Sequence, residues 1–581
     1  RVEAEAAELL KLYDKGMIGT AELMGPLTAA TARVNPAVPR AARGKVAPTT
    51  AAAAAVEPDD EPNRTLVQHV HPDDYQNASP ANEYDLVVVG AGVAGLLSVI
   101  IAKALGKRCA MIERHYMGGD CLNVGCFPSK VLIASAQRAH DARNAVELGV
   151  SVGEVKVDFP RVMQRMRELR AQIAPVDSVA RYKRDFCDEI FLGQATFVDG
   201  KTIKVAGGPH GDVELKFGRA MVATGASPLV PDIPGLADTP HLTNANFFNL
   251  SELPPRLVVI GGGPIGMELA QAMQRLGSAV TVLVKGPNAL SREDPDAAEL
   301  VMAALQADGV AVHTNVTFVS VEATEGDIFH APFKAYTVTV ELNGKRTELT
   351  ADAILNGTGR VPNVAGLGLE AADVEFDAGI GVLVDPHYRS TNPAVYACGD
   401  VASPFKFTHS ADFSARLAIR NMFLGDTNAE DQLVIPWCTY TDPEIAHVGK
   451  YEAELKAAGV PHETFLRPLS HVDRYICEGT NKGLVKMHVR EGTDEILGCT
   501  IVSSNAGDMI SEVTACIQYG LGAAKLGGVI HPYPTHQEAV RQCAAQYNKH
   551  FKTEAHKAAL REIMARHEAA VGGEPAAAKT E

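Results

Sequence analysis

The chain has 581 residues, 46% of them hydrophobic, and a formal net charge of −16. This length allows several domains, and the negative charge provides no basic field for phosphates, so a nucleic-acid partner is not expected. The sequence contains no run of about eighteen apolar residues, so no membrane span is predicted. The ten cysteines are scattered apart from one close pair, which favours a reducing compartment over a secreted disulfide framework.

The two ends differ in composition from the middle of the chain. Residues 1–63 are predicted to be an N-terminal extension, in which AEAAELLKLYDKGM favours a short amphipathic helix. Residues 24–56, rich in Ala, Pro and Thr, favour a flexible linker. This acid-free, basic stretch also indicates organelle targeting, to the chloroplast rather than the mitochondrion, with a disordered tether as the alternative. Residues 551–581 are predicted to form a surface helix and a disordered tail.

The segment YDLVVVGAGVAGLLSVIIAKALG, beginning near Tyr84, predicts a buried strand, a glycine turn and an apolar helix. Gly90, Gly92 and Gly95 have the GxGxxG spacing in which amides at a helix N-terminus hold a pyrophosphate. Glu113 ends the next predicted strand, 18 residues after Gly95, where a carboxylate can accept hydrogen bonds from a ribose. The pattern predicts a dinucleotide site rather than a plain glycine turn.

A second segment, RLVVIGGGPIGMELAQAMQRLG, repeats this pattern with Gly261, Gly263 and Gly266. Lys285 stands at the end of the following strand, 19 residues after Gly266. A lysine cannot accept a hydrogen bond from a ribose hydroxyl but can pair with a 2′-phosphate. NADPH is therefore favoured over NADH; the alternative is a solvated lysine that tolerates both. Two dinucleotide sites indicate an electron path from a nicotinamide to a flavin.

Cys121 and Cys126 form the close cysteine pair, in GGDCLNVGCFPSK. A zinc site is disfavoured because it needs four ligands and no second pair or histidine cluster lies nearby. A structural bridge and two buried thiols are further alternatives. Residues five apart on a regular helix are too distant for a disulfide, so a bridge requires Cys121 in a loop or distorted turn leading into a helix. A helix beginning near Cys126 would activate that thiol, which favours a reactive thiolate.

GGDCLNVGCFPSK resembles the active-site segment of the FAD-dependent pyridine nucleotide–disulfide oxidoreductases, which include dihydrolipoamide dehydrogenase, glutathione reductase and mercuric reductase. Asp120 stands where threonine is usual in that segment, and Phe127 where isoleucine or valine is usual. The resemblance runs from about Tyr84 to Asn548. It is also carried by ATGASPLVPDIPG (223–235), GTGRVPN (357–363), VYACGDV (395–401) and YTDPEIAHVG (440–449).

This resemblance implies an α/β fold with two Rossmann-like dinucleotide-binding domains, for FAD and NAD(P)H, and a C-terminal α+β dimerisation domain. The FAD domain is expected at 82–228 and 357–430, the NAD(P)H domain at 229–356 and the dimerisation domain at 431–550. A homodimer is also implied, because in the family the segment equivalent to 531–538 of one chain completes the disulfide site of the other.

The resemblance also implies roles for individual residues. NADPH would reduce FAD, and FAD would reduce a Cys121–Cys126 disulfide. Cys126 is expected to be the thiolate beside the flavin and Cys121 the interchange thiol that meets the substrate. Lys130 would place its ammonium near the flavin, with an ordinary helix lysine as the alternative, and Asp400 would bind the ribityl chain. The other residues expected to bind the cofactors are Gly119, Thr224, Gly225, Gly359, Arg360 and Gly399.

The segment HPYPTHQE (531–538) distinguishes members of the family. Dihydrolipoamide dehydrogenase and glutathione reductase have a histidine acid–base five residues before the glutamate that orients it, whereas this chain has Tyr533 before Glu538. A phenol is a poor base at neutral pH, and His531 and His536 are alternative bases. Tyrosine here is similar to mercuric reductase, but the sequence contains neither the C-terminal cysteine pair nor the GMTCxxC module of such enzymes.

The sequence therefore predicts an NADPH-dependent FAD oxidoreductase with a redox-active disulfide and an electrophilic or metal acceptor that remains unidentified. No resident metal is expected, and exchange with lipoamide or glutathione should be slow without the histidine. One alternative is a dihydrolipoamide dehydrogenase that uses another base. The other is a flavoprotein component of a larger assembly, attached through the terminal extensions.

Overall fold

The computed structural model describes residues 56–208, 211–425, 429–550 and 554–571. The predicted N-terminal amphipathic helix, linker and targeting sequence lie outside these ranges, as does the C-terminal tail. The described residues divide into two compact units, one within 1–291 and 302–433 and the other within 292–301 and 434–581. None of the helices in the described ranges combines the length and the apolar character that a membrane crossing requires.

The larger unit begins with a helix, α1 (Glu61–Val70), which the Asp60 side chain caps. It is followed by β1 (Tyr84–Val89) and α2 (Val93–Ala104), and the LVVV run of β1 is buried throughout, as expected of a parallel strand covered on both faces. The next elements are β2 (Cys109–Glu113), α3 (Gly119–Asn123), α4 (Cys126–Asn144), α5 (Phe159–Ile173), α6 (Val179–Asp185), β3 (Glu189–Leu192), β4 (Gln194–Asp199), β5 (Thr202–Gly208), β6 (Gly211–Val222) and β7 (Ala226–Pro228).

A second strand–helix repeat follows, in the same unit except for residues 292–301, which belong to the second unit. Its elements are α7 (Asn244–Phe247), β8 (Arg256–Ile260), α8 (Pro264–Leu276), β9 (Ala279–Leu283), α9 (Pro295–Ala307), β10 (Ala311–His313), β11 (Thr317–Ala323), β12 (Tyr336–Leu342), β13 (Lys345–Ala351) and β14 (Ala353–Asn356). Four strands form a parallel sheet in the order β10-β9-β8-β14, and β11, β12 and β13 form an antiparallel sheet. Buried aliphatic side chains of both sheets share one core cluster.

The chain then returns to the first sheet through β15 (Arg360–Pro362), β16 (Phe376–Asp377), β17 (Gly381–Val382), β18 (Val395–Ala397) and α10 (Thr408–Leu424). The parallel part of that sheet has the order β3-β2-β1-β6-β18, and β4 and β5 extend β6 in antiparallel pairing. Because β15 pairs with β7, the outgoing and returning connections between the two repeats form one small antiparallel ribbon. Two buried clusters cover the sheet.

The second unit contains a five-stranded antiparallel sheet. Its elements are β19 (Trp437–Thr439), β20 (Glu444–Gly449), α11 (Glu452–Ala457), β21 (His462–Pro468), α12 (Asp473–Glu478), β22 (Leu484–Arg490), β23 (Ile496–Ser503), α13 (Ala506–Gln518), α14 (Ala523–Leu526), α15 (Glu538–His550) and α16 (Glu554–Val571). The strand order is β19-β20-β23-β22-β21, and a buried cluster joins the sheet to α13 and α15. Short 3-10 helices elsewhere in the chain lie at Ala145–Leu148, Ala174–Asp177, Leu369–Ala372, Gly399–Val401, Glu430–Gln432 and Leu469–His471.

Candidate active site

The first glycine turn joins β1 to α2 and carries Gly90, Gly92 and Gly95. Gly92 is the N-cap of α2, and a methyl group there would meet only the Cα of Gly119, at 4.0 Å, so the space in front of the helix is open. The Glu113 carboxylate at the end of β2 accepts hydrogen bonds from the Ala91 and His115 amides, both at 2.7 Å. The predicted acid and the predicted glycines therefore lie together.

A cavity beside this turn is lined in part by Gly90, Glu113 and Thr224. Burial raises the pKa of the Glu113 carboxyl, and hydrogen bonds from the His115 and Ala91 amides oppose that effect. An open helix N-terminus suits a pyrophosphate, and an adjacent carboxylate suits a ribose. The residues present therefore fit FAD, with the adenosine end beside Glu113.

The segment that carries the cysteines packs directly on the glycine turn. The Gly118 amide donates to the Ala91 carbonyl at 2.9 Å. Gly119 has a φ of +57°, and a methyl group on it would lie only 2.7 Å from the Cα of Gly92. Glycine is required here both for the backbone conformation and for the close approach. This contact places α3 beside the space that the cofactor would occupy.

Cys121 and Cys126 lie on either side of a break between two helices. Cys121 is half-buried in the five-residue helix α3, and Cys126 is the exposed first residue of α4. A methyl group on Gly125 would lie 3.3 Å from the Cα of Cys121, so the break turns the chain back onto α3. The helix begins at Cys126 as the sequence predicts. Cys121 is in a short helix rather than a loop, and the distortion falls at Val124 and Gly125.

The two thiols interact with each other, and this interaction separates their pKa values. The interaction with Cys121 lowers the pKa of Cys126, with help from the Thr408 hydroxyl and the Lys130 ammonium. The same interaction, together with burial, raises the pKa of Cys121. The Thr408 hydroxyl at the start of α10 lies 3.3 Å from Cys126 Sγ. Cys126 is therefore the thiol that ionises first.

Lys130 connects this segment to the second glycine motif. Its ammonium pairs with the Glu268 carboxylate at 2.8 Å, and Glu268 is nearly buried in α8. Glu268 stands two residues after Gly266, so the ion pair joins the helix of the cysteines to the helix of the second dinucleotide turn. The sequence prediction omitted Glu268, although a carboxylate inside the otherwise apolar run PIGMELA was a usable signal.

Arg360 lies between two carboxylates of the predicted flavin site. It is hydrogen-bonded to Asp120, and its Nε lies 3.8 Å from an Asp400 carboxylate oxygen. Burial disfavours the charged guanidinium, but the attraction of Asp120 and Asp400 outweighs this and raises the pKa of Arg360. Burial raises the pKa of Asp400, and Arg360 opposes that rise. Asp120, which replaces the usual threonine, thus binds the returning connection of the chain.

The two connections between the nucleotide-binding repeats are tied together by side chains. The Thr224 hydroxyl donates to the Asn363 carbonyl at 2.7 Å, and the Asn363 amide donates to the Thr224 carbonyl at 2.8 Å. The Asn363 backbone amide also donates to the Gly225 carbonyl. Gly359 and Gly399 immediately precede Arg360 and Asp400. The predicted residues of both connections therefore meet at one edge of the first sheet.

At the second glycine turn, Gly263 is the N-cap of α8, and a methyl group on Gly266 would lie 2.5 Å from the Gly261 carbonyl oxygen. Lys285 is exposed two residues after β9. Its neighbour Val284 is close to the turn, because a methyl group on Gly262 would lie 2.7 Å from Val284 Cγ2. The turn therefore fits a dinucleotide.

The segment 531–538 lies in the second unit. Tyr533 is 71% exposed and its hydroxyl donates to Asp473 at 2.6 Å; this bond raises the pKa of Tyr533. Glu538 begins α15 and is 6% exposed; one carboxylate oxygen accepts from Arg541, and the other has no partner among the described residues. The flanking histidines are also bonded to carboxylates, His531 to Glu512 and His536 to Glu478.

Replacing Gly119 by alanine is expected to remove most of the bound FAD and to lower the melting temperature. The new methyl group would overlap Gly92, and overpacking of this kind costs about 1–3 kcal/mol beyond the cost of the backbone conformation. Gly106→Ala is the matched control, because Gly106 has a similar φ of +73° and no atom within 4 Å of the new methyl group. FAD per chain and melting temperature are measured for both variants. Equal losses of FAD would contradict the prediction.

No group of three or more His, Cys, Asp or Glu side chains arranged to hold a metal ion occurs in the part of the chain that the structure describes.

Residues 84–415 match the pyridine nucleotide-disulphide oxidoreductase family, and residues 435–544 match its dimerisation domain. Mercuric reductase from Bacillus cereus is 33% identical over 467 residues, which cover 80% of this chain and 72% of that protein. Dihydrolipoyl dehydrogenase from Geobacillus stearothermophilus is 32% identical, covering 80% of this chain and 96% of that protein.

Solved structures show the same architecture. The Cu(II) complex of the HOCl-induced flavoprotein disulfide reductase RclA from Escherichia coli has a TM-score of 0.71 at 26% identity, covering 80% of this chain and all of that one (100%). LpdA from Mycobacterium tuberculosis has a TM-score of 0.71 at 25% identity, covering 80% of this chain and 99% of that one. The predicted fold class is confirmed. The chain belongs to the pyridine nucleotide-disulphide oxidoreductase family and is an FAD-dependent enzyme that uses a pyridine nucleotide.

Proposed function

We propose that this enzyme uses NADPH to reduce a Cys121–Cys126 disulfide and that the reduced pair transfers its electrons to a thiophilic metal ion. The break at Gly125 carries the proposal, because it turns the chain that leads into Cys126 back onto Cys121, and the interaction between the two thiols gives them different pKa values. When bound, FAD would accept a hydride from the nucleotide and pass on the electron pair.

In this proposal the two cysteines pass through a two-electron redox cycle. Two electrons and one proton break the S–S bond and leave Cys121 as a thiol and Cys126 as a thiolate. Cys121 then loses its proton to the medium as it binds the metal ion. Two electrons pass to one divalent ion, or one electron to each of two ions, and the S–S bond forms again. Lys130 and Thr408 stabilise the thiolate stage at Cys126.

The proposed class of electron acceptor rests on the side chain at position 533. Exchange with a lipoyl or glutathione disulfide requires a proton for the leaving thiolate, which a nearby acid–base supplies. Tyr533 donates its hydroxyl to Asp473, and its raised pKa makes it a poor acid–base at neutral pH. Electron transfer to a sulfur-bound metal ion needs no such proton. The similarity to mercuric reductases and to a flavoprotein captured with Cu(II) supports this acceptor class.

A homodimer is part of the proposal. The match of residues 435–544 to the family's dimerisation domain supports it. In such a dimer, the segment 531–538 of one subunit would complete the disulfide site of the other, with Tyr533 and Glu538 beside the acceptor.

Anaerobic NADPH oxidation with a panel of acceptors tests the proposed function. Hg(II) and Cu(II) should support turnover at least about tenfold faster than lipoamide or glutathione disulfide, since the latter need general acid catalysis worth about 10²-fold or more. Free FAD with each metal is the control for uncatalysed reduction. Faster turnover with lipoamide would overturn the proposed acceptor and establish the dihydrolipoamide dehydrogenase alternative.

A further inference from the structure

Residues 57–77, here called the N-terminal segment, precede the family match, which begins at residue 84. They nevertheless pack against the first sheet and its helices. Asp60 pairs with Arg167 at 2.6 Å, the Tyr75 hydroxyl donates to the Ile190 carbonyl at 2.9 Å, and Leu66 and Val70 are fully buried. The sequence places the end of an extension at residue 63, yet α1 begins at Glu61 and continues past it.

Arg170, from α5, connects this segment to the cysteines. Its side chain is 1% exposed; one guanidinium nitrogen donates to the Asn63 side-chain oxygen at 2.8 Å and the other to the Asn123 carbonyl at 2.6 Å. Burial lowers the pKa of Arg170 to about 10, so it stays charged at neutral pH. A buried cation held by two neutral acceptors is costly unless both bonds are kept.

Asn123 is the last residue of α3, two positions after Cys121. Carbonyls at the end of a helix lack partners within it, and a cation there is favourable. The Asn123 side chain also donates to the Met117 and Gly119 carbonyls, at 3.0 and 2.9 Å, which closes residues 117–123 into one compact turn. A helix of five residues is not stable alone, so its position depends on such contacts.

The C-terminal end of α1 holds the other side of the same turn. The Val70 carbonyl accepts from the Met117 amide at 3.0 Å, and the His71 ring is hydrogen-bonded to the His115 carbonyl. Contacts from the N-terminal segment therefore reach both ends of residues 115–123, directly at Met117 and His115 and through Arg170 at Asn123.

We propose that Asn63 and Arg170 are positioning residues, through which the N-terminal segment fixes Cys121 relative to Cys126 and the flavin site. The inference rests on the proposed disulfide chemistry. Because a displacement of about 1 Å between reacting groups can cost up to about a hundredfold in rate, loosening α3 should slow electron transfer to the disulfide. It should change the flavin's reaction with the nucleotide much less, since among the described residues the side-chain hydrogen bonds of Asn63 and Arg170 go to neither glycine turn.

Asn63→Ala and Asn77→Ala form a matched pair for the test. Both asparagines are buried in the N-terminal segment, and each makes two side-chain hydrogen bonds; those of Asn77 go to Leu192 in β3, away from the cysteines. In rapid mixing of the holoenzyme with NADPH, Asn63→Ala should slow formation of the thiolate charge-transfer absorption about tenfold or more. Flavin bleaching should change less than about twofold. Asn63→Asp, which keeps an acceptor for Arg170, should restore the slowed phase. Equal slowing by both alanine variants, or by neither, overturns the inference.

Hydrogen exchange of the wild-type holoenzyme provides a second measurement that needs no variant to fold. Amides of residues 61–70 and 115–123 should open together, as one cooperative unit. Continued protection of residues 115–123 after residues 61–70 have exchanged overturns the inference. Anaerobic titration checks the proposed function separately: the wild type should take up two more electrons than its flavin accepts. If it does not, the disulfide chemistry fails, and hydrogen exchange still decides whether the N-terminal segment holds the cysteine turn.

Discussion

Cys126→Ser should abolish turnover with every acceptor, by roughly 10³-fold or more, while NADPH still reduces the flavin. The serine hydroxyl cannot form the S–S bond and does not ionise at neutral pH. The long-wavelength charge-transfer absorption that accompanies anaerobic reduction should therefore disappear. Steady-state turnover and an anaerobic reductive titration measure both effects. Cys438→Ser is the control, because Cys438 is half-buried like Cys121 and lies in the second unit.

Cys121→Ser should instead keep the charge-transfer absorption in the oxidised enzyme, because Cys126 can no longer form a disulfide. A hydroxyl at position 121 can donate a hydrogen bond to the Cys126 thiolate. Since the folded-state pKa of Cys126 is lowered, the absorption should be present at neutral pH. It should fade only as pH falls through a value below the ordinary thiol pKa of about 8.5. A wild-type-like absorption in Cys126→Ser, or a Cys121→Ser transition above pH 8.5, would contradict the assigned roles.

Local patterns in the sequence were sufficient to predict the two glycine turns. The spacing of Gly90, Gly92 and Gly95 is typical of one turn between a strand and a helix. Glu113 lies at the end of the adjacent parallel strand. Short-range geometry therefore brings the carboxylate and the turn together. The start of α4 at Cys126 was predictable for the same reason. Membership of the family, inferred from five short motifs, is confirmed by matches over residues 84–415 and 435–544.

Such local patterns could not predict contacts between residues that are far apart in the sequence. Glu268 meets Lys130 across 138 positions, and Thr408 meets Cys126 across 282. Arg170 resembles any basic residue of the amphipathic helix RVMQRMRELR until the fold buries it against Asn63, 107 positions away. The helix EPNRTLVQHV was not predicted, because it is polar on one face and has too few apolar residues to suggest a packed element by itself.

The proposed preference for NADPH rests on one exposed charge, that of Lys285, so its reversal is the second large effect expected. Lys285→Glu should lower kcat/KM for NADPH about 10- to 100-fold relative to NADH, because a charge-assisted hydrogen bond to a 2′-phosphate is worth about 1.5–3 kcal/mol. A carboxylate at this position can accept from the ribose hydroxyl of NADH and repels the 2′-phosphate. The wild-type preference for NADPH should also weaken as ionic strength rises, since the site is open to solvent.

Lys345→Glu separates this local effect from a change in net charge. Lys345 is also exposed, as the first residue of β13, and its substitution alters the charge of the chain by the same amount. Flavin reduction by NADPH and by NADH is followed for both variants at low and high salt. If Lys345→Glu shifts the preference between NADPH and NADH as much as Lys285→Glu does, the effect comes from the overall electrostatic field of the protein. Equal use of both nucleotides by the wild type would remove Lys285 from nucleotide selection, because a 2′-phosphate paired with its ammonium cannot be energetically neutral.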